Sequence, residues 1–209
     1  LKLRGGFLVA ALPADRTETV LALLHEVYPG LEAGRNVLQT TLQNANPVIH
    51  PVVTLLNSAQ IERSGDDFLF YEHGVTPAVG RLIGAVDEER IAIGEALGIE
   101  VVPDPELGIR QGYMNDTSYE DGYRTAPGFR GIKAQASLDH RYLNEDVGYG
   151  LVFLSALGRQ VGVQTPIMDS VIALTSRLMK RDYRAEGPRT PEKLGIGGLD
   201  AEALEKLLF

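Results

Sequence analysis

Residues 41–51, with the sequence TLQNANPVIHP, hold a histidine between two prolines in a stretch whose pattern is otherwise apolar and helical. A proline inside a helix removes a backbone donor and clashes with the preceding turn, at a cost of about 3 kcal/mol or more. Pro47 and Pro51 therefore predict a kink, and their cost to the helix indicates a functional reason for it. His50, between them, is a candidate proton-transfer group because histidine titrates near neutral pH. A kinked core helix with a hydrogen-bonded histidine is an equally open explanation.

Amide side chains occur on the turns around this histidine: Asn44, Asn46 and Asn57. Because buried polar groups are normally hydrogen-bonded, amides around an apolar helix indicate a polar cavity or a buried network. Asn46 and Asn57 are accordingly candidates for hydrogen bonds in a substrate pocket. The remaining histidines lie in polar surroundings typical of a surface or a helix end: His25, His73 and His140.

A second polar run, residues 139–150, leads into a strongly apolar stretch. Asp146 falls in the expected first helical turn, where the helix dipole stabilises a carboxylate by about 0.3–1 kcal/mol, so a capping role is one explanation. The functional alternative is a carboxylate that accepts a hydrogen bond from a histidine ring and fixes its tautomer. Arg141, in the preceding loop, could clamp a substrate carboxylate with two hydrogen bonds. An ion pair with Asp104 or Glu106 is its alternative.

Composition argues against several classes of function. With 20 Lys and Arg against 28 Asp and Glu, the net charge of −8 argues against a nucleic-acid partner, since phosphate binding needs an excess of basic residues. The lack of cysteine excludes disulfides and thiolate chemistry and fits a reducing cytoplasm. We expect no metal site, because histidines at helical spacing and an HExxH motif are both missing. No apolar run reaches the roughly 18 residues of a membrane span.

The chain begins with the pattern of a strand followed by a helix. Phe7–Leu12 is an apolar run typical of a buried strand. The best other strand candidate is the short segment Ile99–Val102, so we expect most of the sheet to be formed by residues outside this sequence. Asp15 and Glu18 predict the start of a helix that ends at residues 28–30. This unit is typical of the end of an α/β domain, with residues 31–35 as the linker that follows.

Beyond the linker the apolar spacing predicts a mainly α fold. Thr76 and Thr165 each precede a proline and are expected to cap helices, and Gly98 is expected to end one. Residues 102–145 predict a long ordered loop with one or two short helices. The predicted helices are Asn36–Asn44, Val48–Glu62, Pro77–Leu97, Ser118–Tyr123, Glu145–Val161, Ile167–Tyr183 and Ala201–Leu207.

Three separated runs carry a resemblance to a known family: residues 42–57, 141–147 and 163–169. Their order and spacing resemble the helical domain of octopine/nopaline-type opine dehydrogenases, the bacterial N-(1-carboxyethyl)-norvaline dehydrogenases most of all. The likeness extends from about Leu12 to the C-terminus. It implies that residues 1–34 are the remnant of a Rossmann NAD(P)-binding domain and that residues 35–209 are a bundle-like helical catalytic and substrate domain.

The resemblance also implies an activity. Such enzymes condense the amino group of an amino acid with the carbonyl of an α-keto acid, often pyruvate, and reduce the imine with NADH or NADPH. His50 matches the catalytic histidine, Asp146 the aspartate that pairs with it, and Arg141 the arginine near the substrate carboxylate. Asn46 and Asn57 are lesser pocket candidates. NAD or NADP would be bound mainly by the Rossmann domain, of which most is not in this sequence.

Two alternatives stay open at the level of sequence. Ketopantoate reductase-like and 6-phosphogluconate-like dehydrogenases also carry a helical domain but commonly rely on a lysine, for which Lys133 is the central candidate. A non-catalytic module with a homodimer face at Leu151–Leu157 is the other alternative, although a buried helix explains those residues equally well. The deciding observation is whether His50 and Asp146 lie within hydrogen-bond reach in a cleft beside the Phe7–Leu12 strand.

Overall fold

The computed structural model describes residues 5–64 and 67–209, and it is mainly α-helical as the sequence predicts. Its first part is a strand–helix–strand unit. The elements are β1 (Phe7–Val9), α1 (Thr17–His25) and β2 (Leu31–Ala33). The strands pair in parallel, with Phe7 opposite Leu31. Parallel strands joined through a helix are the repeating unit of α/β sheets, so this part of the chain has α/β architecture.

The rest of the described chain is helical around one central helix. The helices are α2 (Val37–Leu42), α3 (Asn46–Leu56), α4 (Ser58–Ser64), α5 (Pro77–Ala96), α6 (Asp104–Arg110), α7 (Gly122–Thr125), α8 (Arg141–Asn144), α9 (Val152–Gln160), α10 (Pro166–Met179), α11 (Tyr183–Glu186) and α12 (Ala201–Leu208). Asp146–Leu151, here called the π segment, forms a π-helix between α8 and α9. The central helix is α3, which packs against α5, α8, α10 and the π segment. Residues 47–54 of α3 are all buried.

The strand predictions were partly wrong. Residues 31–33 form β2 instead of a linker, and the strand at residues 7–12 is limited to Phe7–Val9. Ile99–Val102 forms no strand. The side chain of Gln43 takes the place of a strand partner there, because its amide donates to the carbonyl of Val102 at 2.9 Å and its oxygen accepts from the Val102 N–H at 3.0 Å.

The proline-containing segment is two helices, as the predicted helices Asn36–Asn44 and Val48–Glu62 imply, and not one kinked helix across both prolines. α2 ends at Leu42 and α3 begins at Asn46, which places Pro47 in the first turn. A proline there sacrifices no intrahelical hydrogen bond. Pro51 lies inside α3 and is the residue that violates helix preference. The folding cost argued from two prolines therefore applies to Pro51 alone.

Other helix boundaries also differ. The predicted helix 48–62 divides at Asn57, the predicted helix 145–161 contains the π segment, and α10 ends at Met179 because Lys180 adopts a left-handed conformation with φ +53°. The short helix expected at 118–123 lies at 122–125, and α6 lies within the predicted loop 102–145.

Caps explain several of the helix ends. Thr76 caps α5 by accepting from the N–H of Val79, and Gly98 has the left-handed φ of +64° expected of a helix stop. Thr165 precedes α10 but its side chain makes no capping bond. Asp15 lies in a 3-10 turn and Arg16 precedes α1 without a side-chain cap, so the capping signal assigned to Asp15 was wrong.

Apolar residues of α9 and the π segment are core residues. Leu151 and Leu157 are both fully buried within the chain. The homodimer face suggested for Leu151–Leu157 is therefore not available on the surface, and burial within one chain accounts for these residues. Among the described helices, none combines the length and apolar character that a bilayer span requires.

Gly150 allows the π segment to approach α3 closely. A Cβ atom on Gly150 would lie 2.4 Å from Cγ and 2.7 Å from Cβ of Pro47. Real Cβ contacts are never that short, so this position tolerates no side chain without a shift of the backbone. Because Asp146 is four residues before Gly150 and His50 is three residues after Pro47, the same helix contact sets the distance between His50 and Asp146.

We predict that Gly150→Ala destabilises the fold by about 1–3 kcal/mol, the usual effect of overpacking a tight contact. Alanine is the better helix former, so propensity alone predicts the opposite sign. The measurement is urea unfolding followed by circular dichroism. Gly148→Ala in the same segment is the matched control, because its Cβ would lie 3.3 Å from the nearest atom, Cδ1 of Tyr183. Equal stability of Gly150→Ala and wild type would contradict the packing argument.

Candidate active site

His50 and Asp146 meet in the interior of the helical domain. His50 Nδ1 lies 2.8 Å from Oδ2 of Asp146, and the two residues are 5% and 3% exposed. His50 projects from the middle of α3 and Asp146 is the first residue of the π segment. π-Helical turns are rare and occur often at functional sites. The structure thus places within hydrogen-bond reach the two side chains that the sequence singled out.

Aromatic side chains surround the remaining sides of the His50 ring. Its Nε2 lies 3.1 Å from the hydroxyl of Tyr71. Tyr142 stacks on the ring with a centroid distance of 3.9 Å and an interplanar angle of 21°. Phe70 meets it edge-on at 5.8 Å. The ring is therefore fixed in position and orientation by both nitrogens and two aromatic contacts.

The hydrogen bonds fix the proton arrangement of the neutral ring. An ionised carboxylate can only accept, so Nδ1 carries the hydrogen that is donated to Asp146. Nε2 then has a free lone pair and accepts from the Tyr71 hydroxyl. Burial, together with the neighbouring Tyr142, Asp104 and Asp146, raises the pKa of Tyr71 well above its ordinary value. Tyr71 consequently stays protonated at neutral pH and remains the donor.

A cavity of about 710 Å³ opens on the Asp146 side and is called the arginine cavity here. Its basic residues are Arg141, Arg181 and Arg189. Arg181 bonds Glu186 and Asn144. The guanidinium of Arg189 lies over the ring of Tyr149, 5.3 Å from its centroid. The same cavity is therefore lined by guanidinium groups, which suit carboxylate binding, and by Asp146, the partner of His50.

Arg141 is the first residue of α8 and bonds Glu145 one turn later. Its Nε and one terminal nitrogen each lie 3.1 Å from a carboxylate oxygen of Glu145. This pairing lowers the pKa of Glu145 and raises that of Arg141. The alternative partners considered for Arg141, Asp104 and Glu106, were wrong. Both side chains are about half exposed, so the pair is weak and can open to a competing carboxylate.

A second cavity of about 360 Å³, here the strand cavity, lies beside β1. Its wall includes residues from β1, from the start of α3, from α6 and from the segments between helices: Phe7, Leu8, Asn46, Ile49, Tyr71, Asp104, Tyr113 and Phe129. Thr40 and Asn44 line both cavities. The His50–Asp146 pair therefore lies between two neighbouring cavities that share these wall residues. Asp146 faces the arginine cavity, and Tyr71, bonded to His50, faces the strand cavity beside β1.

The two candidate amides occupy different positions. Asn46 lines the strand cavity. The side-chain amide of Asn57 instead donates to the carbonyls of Val53 at 2.8 Å and Gly74 at 3.0 Å. That position, at the end of α3, suits a helix-ending role. Asn44 lines both cavities and its side chain accepts from the backbone N–H of Asn46. The structure thus brings Asn46 to a cavity wall and uses Asn57 in the fold.

The remaining sequence candidates lie elsewhere. His25 and His73 are exposed, and His140 caps α8 by accepting from the N–H of Tyr142 at 3.3 Å. Lys133, the lysine of the alternative dehydrogenases, is exposed and pairs through its backbone with Leu69, outside the walls of both cavities. Within residues 5–64 and 67–209 we find no group of three or more possible metal ligands.

Sequence reasoning missed Tyr71 and Asp104 as members of this region. Asp104 lines the strand cavity and accepts a 2.6 Å hydrogen bond from the hydroxyl of Tyr123. Burial raises the pKa of Asp104 to about 6, with nearby Asp87 adding to the effect and the Tyr123 bond and Arg90 opposing it. Nothing in the local sequence signals either role, because both depend on contacts between distant segments.

The chain matches a family model described as NAD/NADP octopine/nopaline dehydrogenase, alpha-helical domain, over residues 33–179. A protein named opine dehydrogenase from Arthrobacter sp. (strain 1C) is 42% identical over 203 residues, which cover 97% of this chain and 56% of that protein. The protein named ocs of Agrobacterium vitis is 33% identical over 79% of this chain and 46% of its own length. The chain thus spans about half the length of these relatives.

Solved structures share the fold. A structure of octopine dehydrogenase in complex with NADH and agmatine superposes with a TM-score of 0.67 at 19% identity, covering 89% of this chain and 53% of that one. A structure of octopine dehydrogenase with NADH and L-arginine gives 0.66 at 17% identity over the same shares. At these identities the likeness supports the helical architecture alone.

Asp104 yields a prediction about stability and pH. Its pKa is higher in the folded chain than the ordinary 3.8, so between about pH 4 and pH 6 the folded state binds more protons and loses stability as pH rises. Asp104→Asn keeps an oxygen that accepts the Tyr123 hydrogen bond and removes this loss of stability at higher pH. We expect the variant to gain about 1–3 kcal/mol on wild type between pH 4 and pH 7 in urea unfolding. A difference in stability between variant and wild type that stays constant with pH would contradict this.

Proposed function

Because the chain belongs to the octopine/nopaline dehydrogenase family, we propose that it is the helical domain of an opine dehydrogenase. The complete enzyme would join an α-keto acid to the amino group of an amino acid and reduce the resulting imine. The observation that carries the proposal is the 2.8 Å contact of His50 with Asp146, buried between a cavity with guanidinium groups and a cavity beside β1.

We propose residues 1–34 as the end of a Rossmann domain and residues 35–209 as the helical domain. The parallel strands β1 and β2, joined through α1, support an α/β origin for the first part. The family match begins at residue 33, next to this boundary. "Complete enzyme" below means this chain joined to such a Rossmann domain.

The cofactor would be held by that domain. When bound, NADH or NADPH supplies the hydride that reduces the imine. The described residues do not form a dinucleotide site by themselves, because neither β1 nor β2 is followed by the glycine-rich turn and helix N-terminus that bind a pyrophosphate. We therefore assign to this chain the binding of substrates and the movement of protons, and none of the hydride chemistry.

His50 is the proposed general base and acid. In its neutral form the ring can take up a proton on the Nε2 side and return it when the carbinolamine loses water. Asp146 keeps the hydrogen on Nδ1 and stabilises the imidazolium as it forms. A positioned base of this kind contributes about 10²–10⁴-fold to turnover. The tight packing of Tyr142 and Phe70 preserves the ring geometry through the cycle.

Arg141 is the proposed clamp for a substrate carboxylate. Its guanidinium lines the arginine cavity together with Asp146, and its two-bond pairing with Glu145 shows that it can present the fork that a carboxylate accepts. Asn46 is the proposed hydrogen-bonding residue in the strand cavity, and Asn57 is a weaker candidate because its amide is already engaged. Holding both substrates in reach of each other accounts for much of the rate in such reactions.

The test is amine-dependent oxidation of NADH or NADPH by the complete enzyme. The octopine dehydrogenase structures contain L-arginine, agmatine or pyruvate, so pyruvate with a panel of amino acids and amines is the first substrate set. Oxidation that needs both a keto acid and an amine supports the proposal. Oxidation by the keto acid alone would indicate a simple keto acid reductase, and none with any pair would contradict the assignment.

His50→Ala in the complete enzyme should lower turnover by about 10²–10⁴-fold, and it should also lower stability by about 3–5 kcal/mol because Asp146 stays buried without its partner. The measurement is kcat at saturating substrates, with circular dichroism as the check on folding. His140→Asn is the matched control, since His140 contacts the same Tyr142 ring edge-on and asparagine keeps its capping function. Near-normal turnover of His50→Ala would refute the role of His50 as base and acid.

Arg141→Lys should raise KM for the substrate whose carboxylate it holds, because lysine cannot reproduce two parallel hydrogen bonds. Glu145→Gln should have the opposite effect, because it releases Arg141 from its ion pair with Glu145. An exposed ion pair is worth up to about 1 kcal/mol, so KM for that substrate should fall by about twofold to fivefold. Arg124→Lys, which alters an exposed pair with Asp121 away from both cavities, is the control. If neither variant of the Arg141–Glu145 pair changes KM for either substrate, Arg141 is structural.

A further inference from the structure

Protein groups contact the His50 ring at both nitrogens, on one face and edge-on. Asp146 bonds Nδ1, the Tyr71 hydroxyl bonds Nε2, Tyr142 covers one face and Phe70 meets the edge. His50 itself is absent from the walls of both cavities. The walls of the two cavities instead present neighbours of the ring, Asp146 in the arginine cavity and Tyr71 in the strand cavity.

Of the two groups on the ring nitrogens, Tyr71 alone can pass a proton in both directions. An ionised carboxylate has no hydrogen to give, whereas a phenol hydroxyl donates one hydrogen bond and accepts another at the same time. The Tyr71 hydroxyl donates to Nε2 over 3.1 Å, and Tyr71 lines the strand cavity. Its oxygen keeps a lone pair for a donor that arrives from that cavity.

We propose that Tyr71 is a further catalytic residue, whose hydroxyl exchanges the proton between the substrate amine in the strand cavity and Nε2 of His50. This inference rests on the proposed function, because it takes His50 as the base. It adds a second side chain that exchanges a proton with the substrate.

The relay balances without a further reactant. An N–H bond of the substrate ammonium breaks as that proton bonds to the Tyr71 oxygen, and the original Tyr71 O–H bond breaks as its proton bonds to Nε2. The products are a neutral amine with a free lone pair, a neutral Tyr71 and an imidazolium that donates from Nδ1 to Asp146. The reverse transfer delivers a proton to the carbinolamine hydroxyl, which leaves as water.

The surroundings of Tyr71 suit this role. Its ring stacks on Phe129 with a centroid distance of 4.3 Å and an interplanar angle of 15°, and Phe70 meets it at 5.1 Å. Two aromatic contacts hold the hydroxyl toward His50. Because burial and neighbouring groups keep the phenol neutral, a stepwise route through free phenolate is disfavoured. A concerted transfer, in which Tyr71 gains one proton as it loses another, avoids that charge.

The test is Tyr71→Phe in the complete enzyme, which removes one oxygen atom and keeps the ring. We expect kcat to fall about 100-fold, the lower end of what a proton-transfer group contributes. We also expect the dependence of kcat on the deuterium fraction of the solvent to change. Two protons in flight give a curved dependence in wild type, and loss of the relay gives a linear one.

Tyr123→Phe is the matched control. Tyr123 is buried in the same aromatic cluster, 6.3 Å from Phe129, and its hydroxyl bonds Asp104 instead of His50. Losing this hydroxyl should lower stability and leave the curved isotope dependence intact. Turnover of Tyr71→Phe within twofold of wild type would overturn the relay, as would a fall in turnover with the curved dependence unchanged. His50→Ala separates the two proposals. If this variant also keeps near-normal turnover, the proposed role of His50 fails together with the relay; if it loses turnover while Tyr71→Phe does not, the relay alone fails.

A second variant keeps the proposal testable if Tyr71→Phe folds poorly. Incorporation of fluorinated tyrosines at position 71 retains the hydroxyl and nearly the same volume while making the phenol more acidic. Turnover that changes progressively with phenol acidity supports proton transfer through Tyr71. Turnover that is independent of acidity across the series would overturn it.

Discussion

The close contact of α3 with the π segment is the constraint on which the site depends. Gly150 lies against Pro47 where no side chain fits, and this approach lets the short side chain of Asp146 reach the ring of His50 at 2.8 Å. A longer distance between the two backbones would leave a buried carboxylate and a buried imidazole without each other, at a cost of several kcal/mol. The contact of Gly150 with Pro47 therefore sets both the packing of the two helical segments and the distance between His50 and Asp146.

The two cavities on either side of this contact differ in charge. The arginine cavity is lined by three arginines and by the carboxylates of Glu145 and Asp146, whereas the charged side chain among the residues lining the strand cavity is Asp104. Under the proposed function, the guanidinium groups of the first cavity would attract a keto acid carboxylate. The carboxylate and aromatic rings of the second would attract a substrate ammonium. Carboxylate recognition and proton movement would then occupy separate cavities that share Thr40 and Asn44 in their walls.

The sequence predicted the central pair because unusual residues marked it. A histidine between prolines and an aspartate at a helix start are visible locally, and the family likeness connected them across 96 positions. The sequence missed what depends on distant contacts. Gln43 replaces a strand partner for residue 102, and Tyr71 and Asp104 reach the cavities through folding alone. The π segment was likewise invisible, because its apolar pattern is that of an ordinary helix.

Burial of the His50–Asp146 pair is better explained by chemistry than by stability. Replacing both partners of a buried polar or ionic pair with apolar side chains of similar volume is often neutral or stabilising, by about 1–4 kcal/mol for ionic pairs. The surrounding core of α3 is apolar, so two aliphatic residues would fit the same environment. The structure instead supplies Asp146 and Tyr71 to both ring nitrogens and stacks Tyr142 on the face. Stability does not require this arrangement. The proposed proton transfer accounts for it, because Nε2 of His50 is held as a proton acceptor toward Tyr71.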